Sequence, residues 1–84
     1  MYSQRYQLNV VVTVHARERM QSRQVDDALL LEIIESGIDR DAGNGHHWLY
    51  KYFPGRHDNL LCVAAVIDNV FVVKTIMHYW EPTP

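Results

Sequence analysis

Three side chains that suit an anionic ligand recur at intervals of four residues near the N-terminus. They are His15, Arg19 and Arg23. In an α-helix four residues advance by about 400°, so the three side chains would lie along one ridge. A guanidinium offers a planar fork of donors to a phosphate, and an imidazole exchanges a proton near neutral pH. The spacing predicts a phosphate site on the first helix, with a merely solvated helix surface as the alternative.

The C-terminal segment carries a second group of polar side chains within an apolar run. In a strand, Thr75 and Tyr79 share one face, and Lys74 and His78 share the other. A lysine in the middle of an apolar strand needs a carboxylate, a water-filled cleft or an open sheet edge. These residues are candidate partners of the helical ridge. The alternative is a lysine that simply reaches solvent at the sheet rim.

Two adjacent histidines, His46 and His47, precede an alternation of aromatic residues. Neighbouring strand residues point to opposite faces, so the two imidazoles cannot share a metal, and neither a metal nor another cofactor is expected. Trp48, Tyr50 and Tyr52 alternate onto one strand face. Such side chains can stack on nucleobases, although the sequence favours packing in the core or in a dimer.

Two helices are predicted to precede most of the strands. Thr13 can cap a helix that begins near Val14, because its hydroxyl can accept an amide hydrogen of the first turn. Asp26 is a similar cap for a second helix over Asp27–Ser36, whose apolar residues have the spacing of one buried face. Gly37 is predicted to end this helix in the left-handed conformation.

The remaining segments read as strands. Apolar, β-branched runs predict strands over residues 8–14, 46–53, 60–67 and 70–79, with a possible short strand over 38–40. A two-residue turn at Asp68-Asn69 would place Cys62 and Phe71 on one face. The predicted fold is α+β, with two N-terminal helices on a mainly antiparallel sheet of four to five strands, in the order β-α-α-β-β-β. Both faces of the last hairpin are apolar, so we expect a partner chain to cover the face that the helices leave open.

Composition is that of an ordinary soluble domain. The chain has 84 residues, 48% hydrophobic and 21% charged, with a net charge of −2, and we expect one domain over residues 1–84. No apolar run could cross a bilayer, no secretory leader is recognisable, and the single Cys62 suits a reduced, cytoplasmic setting. Charge is uneven: residues 1–24 hold four arginines against one glutamate, and residues 25–44 hold six acidic residues against one arginine.

Short motifs across the chain resemble a small bacterial domain family of unknown function. They are His15-Ala16-Arg17-Glu18-Arg19-Met20, then Arg23-Gln24-Val25, and Val72-Val73-Lys74-Thr75 in the last strand. That family is similar to the RelE/ParE toxin superfamily and its wider group of metal-independent ribonucleases. The resemblance extends over about residues 8–79, and Gln24 replaces the glycine of the family's turn.

The resemblance implies a RelE/ParE-like fold and an endoribonuclease of a toxin–antitoxin system. Cleaving RNA without a metal needs a base for the 2′-hydroxyl, an acid for the leaving 5′-oxygen and cations for the charge on phosphorus. The candidate acid or base is His15 or His78, the phosphate clamps are Arg19 and Arg23, and the orienting groups are Thr75 and Tyr79.

A non-catalytic reading stays open beside the enzyme. The same fold could serve as a protein-binding or self-associating module, and whether the chain is an enzyme is left undecided. The expected partners are a second copy or an antitoxin protein, with RNA as the ligand of the catalytic reading and no membrane. Convergence of His15, Arg19 and the polar groups of the last strand on one site would favour catalysis. Pairing of Arg19 and Arg23 with acidic residues of the second helix would argue against it.

Overall fold

A computed structural model describes residues 1–56 and 60–78 of the chain. Its helices are α1 (Val14–Ser22) and α2 (Asp27–Ser36). The strands are β1 (Tyr2–Ser3), β2 (Leu8–Val12), β3 (Ile38–Gly43), β4 (His46–Tyr52), β5 (Leu60–Ile67) and β6 (Phe71–His78).

Both helices begin where their caps predict. The Thr13 hydroxyl accepts a hydrogen bond from the Ala16 amide at 3.1 Å. The Asp26 carboxylate does the same for the Leu29 amide at 2.8 Å. Each contact satisfies one amide that a helix start leaves without an intrahelical partner. The prediction of a left-handed Gly37 is wrong, because this residue is extended, with φ −71° and ψ 164°.

The sheet differs from the predicted one in strand number, order and direction. The described strands form one mixed half-barrel sheet in the order β1-β2-β6-β5-β4-β3. Strand β2 pairs with β6 in parallel, through Val10↔Phe71 and Val12↔Val73. The mainly antiparallel sheet of four to five strands, in the order β-α-α-β-β-β, is therefore wrong. It assumed that each strand pairs with its sequence neighbour, whereas the chain joins its second strand to its last.

The two strands that the predicted order omits have no apolar alternation. Strand β1 has only two residues, and it is held by pairing with β2. Strand β3 forms the opposite edge, and five of its six residues are exposed, so neither of its faces needs an apolar pattern.

The turn between β5 and β6 is one residue longer than predicted. Ile67 is opposite Phe71, so Asp68, Asn69 and Val70 all lie in the turn. The extra residue reverses the faces of Phe71 and Val73 relative to β5, because side chains alternate with a period of two. Cys62 and Phe71 consequently lie on opposite faces, contrary to the prediction.

The core lies between the helices and one face of the sheet, which we call the helix face. Ala16 and Met20 of α1, and Leu30, Ile33 and Ile34 of α2, are buried there. They form one cluster with strand residues Val10, Leu49, Leu61, Val63, Ala65, Phe71, Val73 and Ile76. Among the described residues, no helix is long and apolar enough to span a membrane.

The other side of the sheet, which we call the second face, has a different composition. By register it carries Ile38, Arg40, His46, Trp48, Tyr50, Tyr52, Cys62, Ala64, Val66, Val72, Thr75 and Met77. Cys62 is buried and has no disulfide partner, as its apolar neighbours predict.

Candidate functional site

The start of α1 is fixed against β6 by a single residue. The backbone amide of Thr13 donates to the Val73 carbonyl at 3.2 Å, which extends the β2–β6 pairing by one step. Its hydroxyl donates to the Lys74 carbonyl at 3.2 Å while also capping the helix. The first turn of α1 is therefore anchored beside the middle of β6.

A β-bulge in β6 places the threonine that the family motif singles out. Ala65 is opposite Val73, whereas Ala64 is opposite Thr75, so Lys74 has no counterpart on β5. Bulges re-aim the side chains that follow them and are frequent beside active sites. Here the bulge puts Thr75 on the second face, and the Lys74 side chain is exposed.

The two residues of the resemblance that are furthest apart in sequence meet at this point. His15 Nε2 lies 3.2 Å from Thr75 Oγ1, across a separation of 60 residues. The hydroxyl can donate to the imidazole or accept from it, according to the tautomer. Since the contact is exposed, His15 can exchange a proton with an approaching ligand while Thr75 holds its ring.

Among the residues that the structure describes, neither Arg19 nor Arg23 forms an ion pair with the acidic residues of α2. It is Arg17 that forms the ion pair with Asp27 of α2. Arg19 is exposed, and its side chain makes no hydrogen bond or ion pair with the described residues. One helical turn separates it from His15, so its guanidinium is available on the same ridge.

Arg23 occupies a different environment, because α1 ends at Ser22 and Arg23 is its C-cap, with φ −104° and ψ 7°. Its Nε atom is buried and has no hydrogen-bond partner. Its backbone carbonyl accepts a hydrogen bond from the Arg56 guanidinium at 2.7 Å, and the Gln24 carbonyl accepts another at 3.2 Å. Gln24 has a positive φ of 55°, a conformation that glycine adopts without the strain it imposes on other residues. Arg56 thus braces the turn between the helices.

The remaining two site residues are not joined to this pair by a described contact. His78 is opposite Leu61, which is buried in the helix face, so the register puts His78 on the face away from Thr75. Tyr79 lies outside the described residues. The assignments of His78 and Tyr79 stay predictions.

A cluster that sequence reasoning missed lies on the helix face at the edge of the sheet. Tyr6 donates its hydroxyl to Asp39 at 2.7 Å, and His47 Nδ1 lies 2.8 Å from the other oxygen of the same carboxylate. Burial, followed by the hydrogen bond to Asp39, raises the pKa of the Tyr6 phenol well above its ordinary value. Alternation along β4 separates His47 from His46, as predicted from the sequence, but no local pattern pointed to Tyr6.

The loop between β1 and β2, which contains Arg5 and Tyr6, is bonded to the end of α2. Arg5 donates to the Gly37 carbonyl at 2.7 Å and stacks over the Tyr6 ring at 5.2 Å. Its backbone amide donates to Glu35 at 2.8 Å. These contacts hold the loop against the end of α2 and so have a structural role. No three acidic, histidine or cysteine side chains in the described part of the chain are grouped as metal ligands.

The sequence was compared with protein families, curated proteins and solved structures. No curated protein and no solved structure matches it significantly. One family does match, over residues 12–78, and its description is "Domain of unknown function (DUF4258)". The match includes both His15 and Thr75 and most of the chain, so this protein belongs to the DUF4258 domain family.

Proposed function

We propose that the protein is a toxin-like, metal-independent RNA endonuclease whose reaction centre is the His15–Thr75 pair. The observation that carries the proposal is the 3.2 Å contact between His15 Nε2 and Thr75 Oγ1. An exposed imidazole held by a hydroxyl, with an arginine one helical turn away, supplies proton transfer and charge neutralisation at one place. The resemblance to the RelE/ParE superfamily supports the choice of RNA as substrate.

The chemistry requires few groups. The 2′-oxygen of a ribose attacks the adjacent phosphorus, a bond forms between them, and the bond from phosphorus to the 5′-oxygen breaks. The 2′-hydroxyl proton passes to a base, and the leaving oxygen receives a proton from an acid. His15 acts in one of these two transfers, while Arg19 neutralises the extra charge on the phosphoryl oxygens. Thr75 orients the imidazole.

Cleavage of a defined RNA in the presence of a chelator tests this proposal. We expect a 2′,3′-cyclic phosphate and a 5′-hydroxyl as the new ends. His15→Ala should lower the rate by ~10²–10⁴-fold, the usual contribution of an acid–base group. Arg19→Ala should lower it as well. Arg17→Ala removes the same charge from an arginine already paired with Asp27, so it should leave the rate nearly unchanged.

Expression in a bacterial host gives an independent test. The wild-type chain should arrest growth on induction, and His15→Ala should relieve the arrest at equal protein level. Cleavage that persists in purified His15→Ala, or that requires an added metal ion, would contradict the proposal.

The composition of the second face favours one other function, a non-catalytic binding module. Tyr52 is 59% exposed and Ile38 is 56% exposed on this face, which a second copy or an antitoxin could cover. Sedimentation at low concentration distinguishes the two functions. A dimer that neither cleaves nor binds RNA would support the module, and a monomer that cleaves RNA would support the enzyme.

A further inference from the structure

The register of the sheet places an aromatic side chain in line with the proposed reaction centre. Thr75 is opposite Ala64, Ala64 is opposite Trp48, and Trp48 is opposite Arg40. Neighbouring strands lie ~4.8 Å apart, so Trp48 is ~10 Å from Thr75 and Arg40 is ~14 Å away. Ala64 separates Thr75 from Trp48 with only a methyl group. The row thus contains, in order, the Thr75 hydroxyl, the small Ala64 side chain, the Trp48 indole and the Arg40 guanidinium.

Aromatic residues continue along β4 on one side of this row. Tyr50 follows Trp48 on the second face and is half-buried, and Tyr52 at the end of the same strand is exposed. Aromatic side chains beside a cationic groove are a common platform for unpaired bases, because every base has a face that can stack. A duplex would hide those faces within its own stack.

Charge on the second face has a single sign, although the whole chain is acidic. By register, Arg40 is the one formally charged member of this face among the described residues; the imidazole of His46 lies on it too, and no carboxylate does. The carboxylates that the structure describes lie on α1, on α2 and its cap Asp26, in the turn at Asp68, and at the helix-face positions Asp39 and Asp41 of β3. The net charge of −2 therefore does not describe this surface. An anionic ligand fits the second face better than it fits the chain as a whole.

We propose that the second face binds single-stranded RNA, with a base stacked on Trp48, a phosphate at His15 and Thr75, and a neighbouring phosphate at Arg40. The position of the first phosphate rests on the function proposed above. The platform adds the substrate class, because a stacking surface in line with the reaction centre selects unpaired nucleotides. It also gives the Trp48–Tyr50–Tyr52 alternation a role besides packing.

Binding to an RNA that cannot be cleaved tests the platform separately from the reaction. A suitable probe is a fluorescein-labelled 2′-O-methyl oligouridylate of about twelve nucleotides, within the usual site size of such surfaces. Its blocked 2′-oxygen prevents cleavage, so anisotropy measures affinity alone. Trp48→Ala should weaken binding roughly 5- to 150-fold, the range found for loss of one stacked base. Trp48→Phe should retain most of the affinity.

Trp48→Ala removes a half-buried indole and can therefore lower stability, so a second variant at an exposed position tests the same surface. Arg40 is exposed, and Arg40→Ala should lower the salt dependence of binding by ~0.7, as expected for one lost contact to a single strand. Arg17→Ala removes the same charge from α1 and should leave that slope unchanged. An excess of unlabelled duplex of the same length should compete poorly with the probe.

Several results would overturn the proposal. One is unchanged affinity in a folded Trp48→Ala variant together with equal salt slopes for Arg40→Ala and Arg17→Ala. Another is a homodimer that dissociates on Trp48→Ala and does not bind the probe, which would assign the face to a second copy. If cleavage depends on His15 but the affinity for the probe does not change in Trp48→Ala, only this inference is overturned. Binding that depends on Trp48 without cleavage by the wild type would overturn only the proposed reaction.

Discussion

The contact between His15 and Thr75 joins two side chains that neither packing nor capping requires. Thr75 is not a helix cap, and its hydroxyl lies on the second face, where His15 Nε2 approaches to 3.2 Å. A hydrogen bond of this kind fixes the imidazole ring and selects its tautomer. Thr75 is therefore a positioning residue in the proposed reaction, since it acts through His15.

Replacing the Thr75 hydroxyl distinguishes an effect on the reaction from an effect on the stability of the fold. Thr75→Val keeps the β-branched shape, so we expect stability close to that of the wild type but RNA cleavage about tenfold slower, the scale of one neutral hydrogen bond. The KM for RNA should stay close to that of the wild type, because Thr75 acts through His15, and Thr75→Ser should restore the rate. An unchanged rate in Thr75→Val would remove Thr75 from the mechanism.

At the scale of elements, α1 depends on Thr13 for both its start and its place on β6. One hydroxyl caps the helix at Ala16 and donates to the Lys74 carbonyl on the strand. Because His15 follows two residues later, the same anchor sets the position of the proposed catalytic side chain.

Removing the Thr13 hydroxyl should weaken both connections. Thr13→Val should lower the free energy of unfolding by about 1–2 kcal/mol, the upper range for loss of a threonine cap. Thr13→Ser, which keeps the oxygen, is the matched control and should lose much less. Urea unfolding followed by circular dichroism gives both values, and equal stability of the two variants would contradict the assigned role.

Helix α2 ends at a glycine for a steric reason and not for a left-handed turn. A Cβ atom on Gly37 would lie 2.5 Å from the Ile33 carbonyl oxygen and 3.1 Å from that of Tyr50. Both atoms belong to the backbone, so a side chain can be admitted only if α2 moves away from β4.

Gly37→Ala should therefore destabilise the protein by about 1–3 kcal/mol, the usual cost of overpacking. The comparison is Ser36→Ala at the neighbouring exposed position, which loses only a hydroxyl that bonds to Glu32 and Lys51. Thermal unfolding of the two variants is the measurement. A Gly37→Ala protein as stable as the Ser36→Ala protein would show that the close approach is not rigid.

At the scale of the whole molecule, the sequence predicted local features better than long-range ones. Caps at Thr13 and Asp26 depend on a few adjacent residues, and both helices begin where predicted. The parallel pairing of β2 with β6 joins residues about sixty positions apart, which no local pattern encodes. The bulge at Lys74 depends on how β6 pairs with β5, and no residue type in the segment marks it. The ridge of His15 and Arg19 could be found from spacing, and Thr75 from the family motif. Their meeting could not be found, because it depends on the bulge.

The loop before β2 shows the same limit. Arg5 and Tyr6 precede the matched family region, yet they bind the end of α2 and Asp39 on the edge strand β3. Since β2 and β3 lie on different sides of β6 in the sheet, this loop crosses the end of the core. Its packing of Tyr6 against Phe71, with ring centres 5.1 Å apart, connects both edges of the sheet with the interior.

Two weak acids, the buried Cys62 and the partly buried Tyr6, make the stability of the whole fold sensitive to alkali. Burial raises the pKa of the Cys62 thiol from 9.0 to about 12, and it raises the pKa of Tyr6 above its ordinary value of 10.0. The unfolded chain releases these protons at lower pH than the folded chain does. Their contribution to stability is therefore complete below about pH 9 and is lost as the pH rises toward the folded values, by at most ~1.4 kcal/mol per pH unit for each proton.

Urea unfolding between pH 8 and pH 11 should show the free energy of unfolding falling from about pH 9 upward. Cys62→Ala removes one titrating group, so its curve should start lower, because of the lost packing, and should fall less steeply between pH 9 and 10. Tyr6→Phe should lose stability at neutral pH, because Asp39 loses a donor, and its slope should decrease only above about pH 10. A free energy of unfolding that is flat to pH 11 in the wild type would mean that neither group is held protonated by the fold.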